Sequence, residues 1–184
     1  MFNKPMPKIL LNSEKKLLEA AKEIIEKEGV DNLSMKRLAQ QTDMAVGTIY
    51  NYFPDKNAIL IRIVTEDWHA LENTLLASYG DLKTFSEGIR LLYDRFLRFS
   101  QTLQPIFSSF TSHGNATYYA SYSSFIEEGA KLLEALANHF SLSFIASRYP
   151  LAAAMFSYAI HYPDTPYEEI EAAILRILGE PIQS

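Results

Sequence analysis

The spacing of apolar residues constrains this chain of 184 residues more than any other feature. Apolar residues recur every three or four positions over most of the sequence, and no useful stretch alternates with a period of two. The pattern therefore predicts an all-α fold of about nine helices, the first three of them short. Pro105 is expected to end or kink one helix, which would leave a short separate piece over residues 106–113. The last helix is expected to end at Gly179.

Composition excludes several classes of protein. The chain has no cysteine, so disulfides, thiolate chemistry and cysteine-bound metals are ruled out. No window of about 20 uncharged apolar residues is present, so we expect no membrane partner. The first residues contain Pro5 and Pro7 where a signal peptide needs an apolar run, so we expect no signal peptide. The two prolines also predict a flexible arm over residues 1–12. Ser13 is the expected N-cap of the helix that follows. We expect a cytoplasmic protein.

Charge is unevenly distributed along the chain. Residues 1–62 contain ten Lys or Arg and eight Asp or Glu, so they carry +2 of a total of −5 and leave −7 to residues 63–184. This asymmetry suits an N-terminal part that meets polyanions. Solvated helix faces would give the same modest difference, so charge alone does not decide between the two interpretations.

One short stretch predicts two small helices joined by a tight turn. The helices are expected over residues 34–41 and about 45–52, with the turn at residues 42–44. This is the arrangement of a helix-turn-helix, whose second helix enters the DNA major groove. The small side chains of residues 45–48 would let that helix approach the groove closely. The stretch therefore predicts a DNA-binding domain over residues 1–62.

The side chains of this stretch match the chemistry of DNA. Val46 can meet a thymine methyl, and the hydroxyls of Thr48, Tyr50 and Tyr52 can donate to phosphate oxygens. Phe53 is expected to point inward as an apolar plug. The alternative for the two tyrosines is a half-buried packing role.

Basic residues flank the second helix. Lys56 follows the expected cap Asp55 in the first turn of the next helix, where a lysine opposes the helix dipole unless a phosphate binds. Lys36 and Arg37 on the first helix are candidates for further phosphate contacts. The alternative is that Lys56 is an ordinary surface charge.

Residues 13–62 resemble the DNA-binding domain of the TetR family of bacterial transcriptional regulators. The resemblance rests on Ser34-Met35-Lys36-Arg37-Leu38-Ala39, on Gly47-Thr48-Ile49-Tyr50-Asn51-Tyr52-Phe53, and on Lys56 and Leu60. Asp43 stands where the family usually has glycine, and Ala45 where it often has Ser or Thr. The resemblance implies these DNA-binding residues: Ser34, Lys36, Arg37, Ala45, Val46, Gly47, Thr48, Tyr50, Asn51, Tyr52 and Lys56.

The resemblance implies that residues 63–184 form a ligand-binding and dimerisation domain. Two helices near the C-terminus combine small and large apolar residues, which suits a four-helix interface between two copies. An ordinary monomer core is the alternative. The candidate dimer residues are Ala152, Met155, Phe156, Tyr158, Ile170, Ile174 and Ile177.

The aromatic residues in the middle of the chain suggest a pocket for a small organic effector of unknown identity. Core filling is the alternative for any one of them. In the family, a shift of this region moves the long helix that follows the helix-turn-helix. The candidate pocket residues are Trp68, Phe96, Phe99, Phe107, Phe110, His113, Tyr118, Tyr122 and Phe125.

No pattern of residues predicts catalysis. The four histidines are far apart in sequence, and neither a phosphate loop nor a nucleophile elbow is present. We therefore expect no enzyme activity, no cofactor and no bound metal. The predicted function is a homodimeric repressor that binds a double-stranded DNA operator and responds to a small molecule. The alternative is a helical adaptor protein that does not bind DNA.

Overall fold

The computed structural model describes residues 8–111 and 116–182, with side chains for residues 12–109 and 125–182. Over these residues the chain is helical without a strand, which confirms the all-α prediction. The described residues form eight α-helices, against about nine expected: α1 (Lys8–Glu28), α2 (Met35–Thr42), α3 (Val46–Tyr50), α4 (Lys56–Ser78), α5 (Phe85–Thr111), α6 (Ala116–His139), α7 (Arg148–His161) and α8 (Tyr167–Leu178).

The first helix begins earlier than the sequence predicts. α1 starts at Lys8, so the expected flexible arm is wrong for residues 8–12, and Ser13 lies inside the helix rather than at its N-cap. The reason is local, because residues 8–28 contain no proline or glycine that would interrupt a helix. Residues 1–7 lie outside the described residues.

The predicted break at Pro105 does not occur, because α5 continues through this residue to Thr111. A proline inside a helix removes one backbone donor, here the N–H that would bond to the carbonyl of Gln101. Gln101 and Pro105 both lie on the exposed side of the helix, so water can satisfy that carbonyl. Leu103 and Ile106 are buried on the opposite side and favour an uninterrupted helix.

The chain divides into two compact units, Met1–Asp67 and Trp68–Ser184, and α4 contains the division. The core of unit 1 is formed by apolar residues of α1 to α4 that are almost fully buried. Charged residues of α1 add contacts to the other helices: Lys16 Nζ donates to the carbonyl of Thr42 at 2.9 Å, and Glu14 pairs with Arg62 at 3.0 Å. These contacts brace α2 and α4 against α1. The core residues include Leu17, Ala21, Ile24, Leu38, Ile49, Phe53, Ile59 and Leu60.

Unit 2 packs α5 to α8 and the second half of α4 around one hydrophobic core. Gly88 of α5 lies against Leu136 of α6, and a Cβ at Gly88 would overlap the leucine side chain. The hydroxyl of Tyr79 donates to the carbonyl of Leu132 at 2.9 Å, and burial raises its pKa, so it stays a donor. The core residues include Ile89, Leu92, Phe96, Leu132, Leu133, Leu136, Phe156, Ile170 and Ile174.

Candidate nucleic-acid interface and ligand cavity

The turn before α3 is formed by local hydrogen bonds. Ser34 caps α2, because its hydroxyl accepts from the backbone N–H of Arg37 at 3.1 Å. Asp43 ends α2 in the left-handed conformation with φ 55°, and its N–H donates to the carbonyl of Ala39. Asp is one of the few residues besides glycine that adopt this conformation readily. The tight turn therefore forms without the glycine usual in the family.

α3 is a short helix that is anchored by one side and exposed on the other. Ile49 is fully buried, whereas Val46 is 38% and Tyr50 is 52% exposed. Ala45 occupies the N-cap position and offers no side-chain hydrogen bond. A Cβ at Gly47 would meet nothing within 4 Å, so the protein's own packing does not require glycine there.

The start of α4 brings a lysine close in sequence to α3. Asp55 caps the helix, because its Oδ1 accepts from the N–H of Ala58 at 2.8 Å. Lys56 follows directly and is half-buried. Within the described part of unit 1, Lys36 and Lys56 take part in no hydrogen bond or ion pair of their side chains, whereas the other described basic side chains do.

Arg37 differs from these lysines. Its guanidinium donates to both carboxylate oxygens of Glu28, with Nε–Oε2 at 3.1 Å and Nη2–Oε1 at 2.5 Å. The hydrogen bonds from Arg37 hold the pKa of Glu28 below its usual value. The positive charge of Arg37 is therefore already paired within the protein, and it ties α2 to the end of α1.

The structure brings the predicted DNA-binding residues together on α2, α3 and the start of α4. Arg37, Tyr52 and Lys56 are half-buried. The exposure of Tyr50 argues against the packing alternative for that residue, whereas Tyr52 fits either role. The exposed members are Ser34, Lys36, Ala45, Val46, Gly47, Thr48, Tyr50 and Asn51.

Unit 2 contains an apolar cavity of about 290 Å³. Trp68 stands edge-to-face against three phenylalanines of its lining, with ring centroids 5.3 Å from Phe96, 5.4 Å from Phe99 and 5.1 Å from Phe125. Phe107 is the fifth predicted residue in the lining. The side chains of the remaining predicted pocket residues lie outside the described ones: Phe110, His113, Tyr118 and Tyr122.

α7 and the polar side of α5 contribute a part of the cavity that was not predicted from the sequence. His161 Nδ1 donates to the carbonyl of Ser157 at 2.8 Å, so this ring nitrogen carries a proton. The helical spacing of Ala153, Phe156 and Ile160 indicates a buried helix face. It does not indicate whether that face packs in the core or lines a cavity. The lining residues not predicted are Ser100, Gln104, Ser108, Ile126, Ala153, Phe156, Ser157, Ile160 and His161.

Four of the seven predicted dimer residues are not on the surface of the protein. Ala152, Phe156, Ile170 and Ile174 are buried in the core of their own chain, and Phe156 stacks on Phe96 with centroids 5.1 Å apart. They cannot form a surface between two copies, because α7 and α8 direct this face toward α5 and α6. Met155 and Ile177 are half-buried, and Tyr158 is exposed.

A different face of α7 and α8 is exposed and apolar. Leu151 is 63%, Tyr162 58% and Tyr158 43% exposed, and the two tyrosine rings stack with centroids 4.5 Å apart. On α8, Leu175 and Ala172 are exposed as well. We refer to these five residues as the α7–α8 stripe.

Neither a metal cluster nor a membrane span is found among residues 8–111 and 116–182. No group of three or more His, Asp or Glu side chains there has the arrangement of metal ligands. No helix in these ranges is long and apolar enough to cross a bilayer.

Sequence comparison identifies a family and relatives that match part of the chain. Residues 17–63 match the family described as bacterial regulatory proteins, tetR family. An HTH-type transcriptional regulator of Staphylococcus aureus is 26% identical over 94 residues, and an uncharacterized HTH-type transcriptional regulator of Haemophilus influenzae is 29% identical over 93 residues. The matches cover 51% and 50% of this chain and the same shares of the two relatives, so the chain spans about half the length of the curated relatives it matches.

Solved structures share the fold over nearly the whole chain. A TetR-family regulator from Pectobacterium atrosepticum has a TM-score of 0.67 at 18% identity and covers 95% of this chain and 92% of its own. RolR in complex with resorcinol has a TM-score of 0.68 at 16% identity, covering 92% and 89%. FadR of Thermus thermophilus in complex with lauroyl-CoA has a TM-score of 0.62 at 18% identity, covering 90% and 92%. Residues 17–63 therefore match the TetR family of bacterial regulatory proteins, and the chain as a whole shares the fold of solved TetR-family structures.

Proposed function

We propose that this regulator is a homodimeric repressor that binds an operator in double-stranded DNA through α3 and responds to a small organic effector in the cavity of unit 2. It acts in the cytoplasm and catalyses no reaction. The single observation that carries the proposal is the exposed face of α3, whose composition has no explanation within the chain itself.

Gly47 of α3 supports a role in DNA binding. Glycine inside a helix is less stable than alanine by about 1 kcal/mol. The protein has room for a Cβ there, so its own fold gains nothing from the glycine. A surface that must approach the floor of the major groove does gain, because the backbone comes closer without a side chain. Val46 and Tyr50 on either side are exposed and available to the same partner.

The two unpaired lysines, Lys36 and Lys56, bind phosphates of the DNA backbone. Lys36 and Lys56 lie on the elements before and after α3, and each keeps its charge available. At Lys56 the free N–H groups of the first turn of α4 supply further donors for a phosphate oxygen. Tyr50, Tyr52 and Thr48 add hydroxyl donors. Arg37 instead braces α2 through Glu28, so its contribution to binding is the position of the helix.

The α7–α8 stripe is the face that a second copy covers. A two-fold axis beside α7 would bring each Leu151 against apolar side chains of the other copy, as an isologous interface requires. Exposed apolar area of this kind is stabilised when it leaves water. A dimer also suits DNA recognition, since its two DNA-binding domains bind half-sites that lie about one helical turn, or a multiple of it, apart.

The effector site is the cavity lined by Trp68. RolR and FadR, which share this fold, are known as complexes with resorcinol and lauroyl-CoA, so the fold accommodates organic ligands. Lys56 and Trp68 lie on the same helix, α4, which passes from unit 1 into unit 2. A ligand-dependent shift of α4 is therefore a direct route for coupling effector binding to DNA binding.

Fluorescence anisotropy tests the proposal with the full chain and labelled DNA fragments from the region flanking its own gene. We expect nanomolar binding to at least one fragment, and an affinity that falls steeply as salt is raised. Binding to no fragment of that region would contradict the proposal. In that event a defined protein partner in pull-down experiments would favour the adaptor alternative.

A further inference from the structure

Two buried polar groups of unit 2, the indole N–H of Trp68 and the hydroxyl of Tyr167, have no hydrogen-bond partner among the described residues. The indole N–H of Trp68 is fully buried and finds no acceptor on any described side chain or backbone, and the whole side chain is only 5% exposed. The buried hydroxyl of Tyr79 in the same unit does have an acceptor, the carbonyl of Leu132. Buried donors are nearly always paired, because an unpaired one forfeits the hydrogen bond that it had with water. Trp68 also lines the cavity, so a bound molecule is within reach of its ring.

The lining of the cavity indicates the kind of molecule. It is dominated by aromatic rings, and its described polar members are neutral hydroxyl and amide groups together with His161. No Lys, Arg, Asp or Glu lines it among the described residues, so an ionised carboxylate or ammonium would lose its hydration without gaining a counter-charge. The volume lies near the lower end of the range for small-molecule pockets, about 300–1,000 Å³.

We propose that the effector is an uncharged molecule with a compact apolar ring system and one acceptor oxygen, and that on binding this oxygen displaces the side chains that cover Trp68 Nε1–H and accepts a hydrogen bond from it. The inference rests on the proposed function for its biological meaning, but it concerns binding to the cavity alone. The competing account is that the indole N–H points at the face of a neighbouring phenylalanine. Such a contact would be indifferent to an oxygen on the ligand.

Two probe molecules of nearly equal shape separate these accounts. 1-Indanone carries a carbonyl where indane carries a methylene, so their dissociation constants measured by calorimetry report the effect of one acceptor. Because the ketone is also better solvated in water, the informative quantity is the ratio of the two constants in different variants. We expect the preference for the ketone to fall about ten-fold in Trp68→Phe, which keeps an aromatic ring and removes the donor.

Tyr79→Phe is the matched control. It removes a buried aromatic donor from the same unit, but Tyr79 does not line the cavity, so the ketone-to-indane ratio should stay at the wild-type value. An unchanged ratio in Trp68→Phe, or an equal fall in both variants, would overturn the proposal. Binding of neither probe to the wild type would overturn it as well.

The wild-type protein offers a test that needs no variant. Trp68 is the only tryptophan of the chain, so a ¹H–¹⁵N spectrum contains a single indole cross-peak. We expect 1-indanone to move its proton downfield and indane to leave it near its starting position. Equal shifts with both probes would contradict the proposal. DNA binding is measured separately by anisotropy, so failure of the proposed repressor function would leave the ratio and the shift intact.

Discussion

α3 and α7 both leave large apolar side chains exposed, but their surroundings differ. On α3, Val46 and Tyr50 lie between two elements that carry the unpaired cations Lys36 and Lys56. Near Leu151 and the stacked tyrosines, the arginine of α7 is Arg148, whose guanidinium donates to the carbonyl of Leu178 at 2.7 Å and is thereby held at the end of α8. An exposed apolar face flanked by unpaired lysines on both sides suits a polyanion, whereas a wider apolar face whose nearest cation on α7 is bound to the protein suits another apolar surface.

The largest effect is expected on the α7 face. Leu151→Glu places two carboxylates in the proposed two-fold interface, where they would be buried without a partner. We expect the dimer dissociation constant to rise by about a hundred-fold or more, measured by analytical ultracentrifugation. Leu76→Glu is the control, because Leu76 is an exposed leucine of α4 outside the stripe. An equal rise of the dimer dissociation constant in both variants would contradict the assignment of the dimer interface to α7.

The second effect concerns the charge beside α3. Lys56→Glu reverses a cation in both copies of the dimer, so we expect the affinity for operator DNA to fall by about a hundred-fold. Lys56→Gln should lower the slope of log affinity against log salt by about one per subunit, because one phosphate contact is lost in each. Lys83→Glu makes the same charge change in unit 2 and should alter binding far less. A salt slope that Lys56→Gln leaves unchanged would refute the phosphate contact.

Two substitutions on α3 separate affinity from sequence preference. Tyr50→Phe removes one hydroxyl, and we expect binding to weaken five- to ten-fold for all DNA sequences alike. Val46→Ala shortens a side chain assigned to a base edge, so it should change the order of preferred sequences in a selection from random DNA. If Tyr50→Phe changed preference and Val46→Ala changed only affinity, the two assignments would have to be exchanged.

The smallest effect concerns the pair between Arg37 and Glu28. The lowered pKa of Glu28 means that the pair stabilises the fold above the ordinary carboxyl pKa of about 4.3 and loses this effect as pH falls through the lowered value. Glu28→Gln should therefore lower Tm slightly at pH 7, and the difference from wild type should shrink as the pH falls below the ordinary carboxyl range, as thermal unfolding would show. Glu26→Gln, a change in the same helix outside any ion pair in the described structure, should not show this pH dependence.

Unit 1 was predictable from sequence because its signals are local. The caps Ser34 and Asp55 each bond to a backbone N–H three residues later, and Asp43 closes its turn on Ala39. Such contacts depend on a few adjacent residues, so the spacing of residue types contains them. The prediction of a flexible arm up to residue 12 was wrong, because Pro5 and Pro7 precede Lys8 and cannot interrupt a helix that starts after them.

Unit 2 depends on contacts between distant parts of the chain. Helical spacing identified Phe156 and Ile174 as apolar positions, but it does not distinguish a face covered by the chain itself from one left for a partner. Pro105 has a similar explanation, since the buried neighbours Leu103 and Ile106 outweigh a local helix-breaking tendency. The aromatic part of the cavity was predicted from composition, whereas its polar members on α5 and α7 needed the packed structure.

The central claim is that α3 reads DNA in a two-fold complex, and hydroxyl-radical footprinting on the DNA flanking the gene tests it most directly. We predict two protected segments separated by about one helical turn, ~10 base pairs, or a multiple of it. The protection should disappear in Lys56→Glu and persist in Lys83→Glu. Uniform cleavage along the fragment at micromolar wild-type protein would contradict the claim.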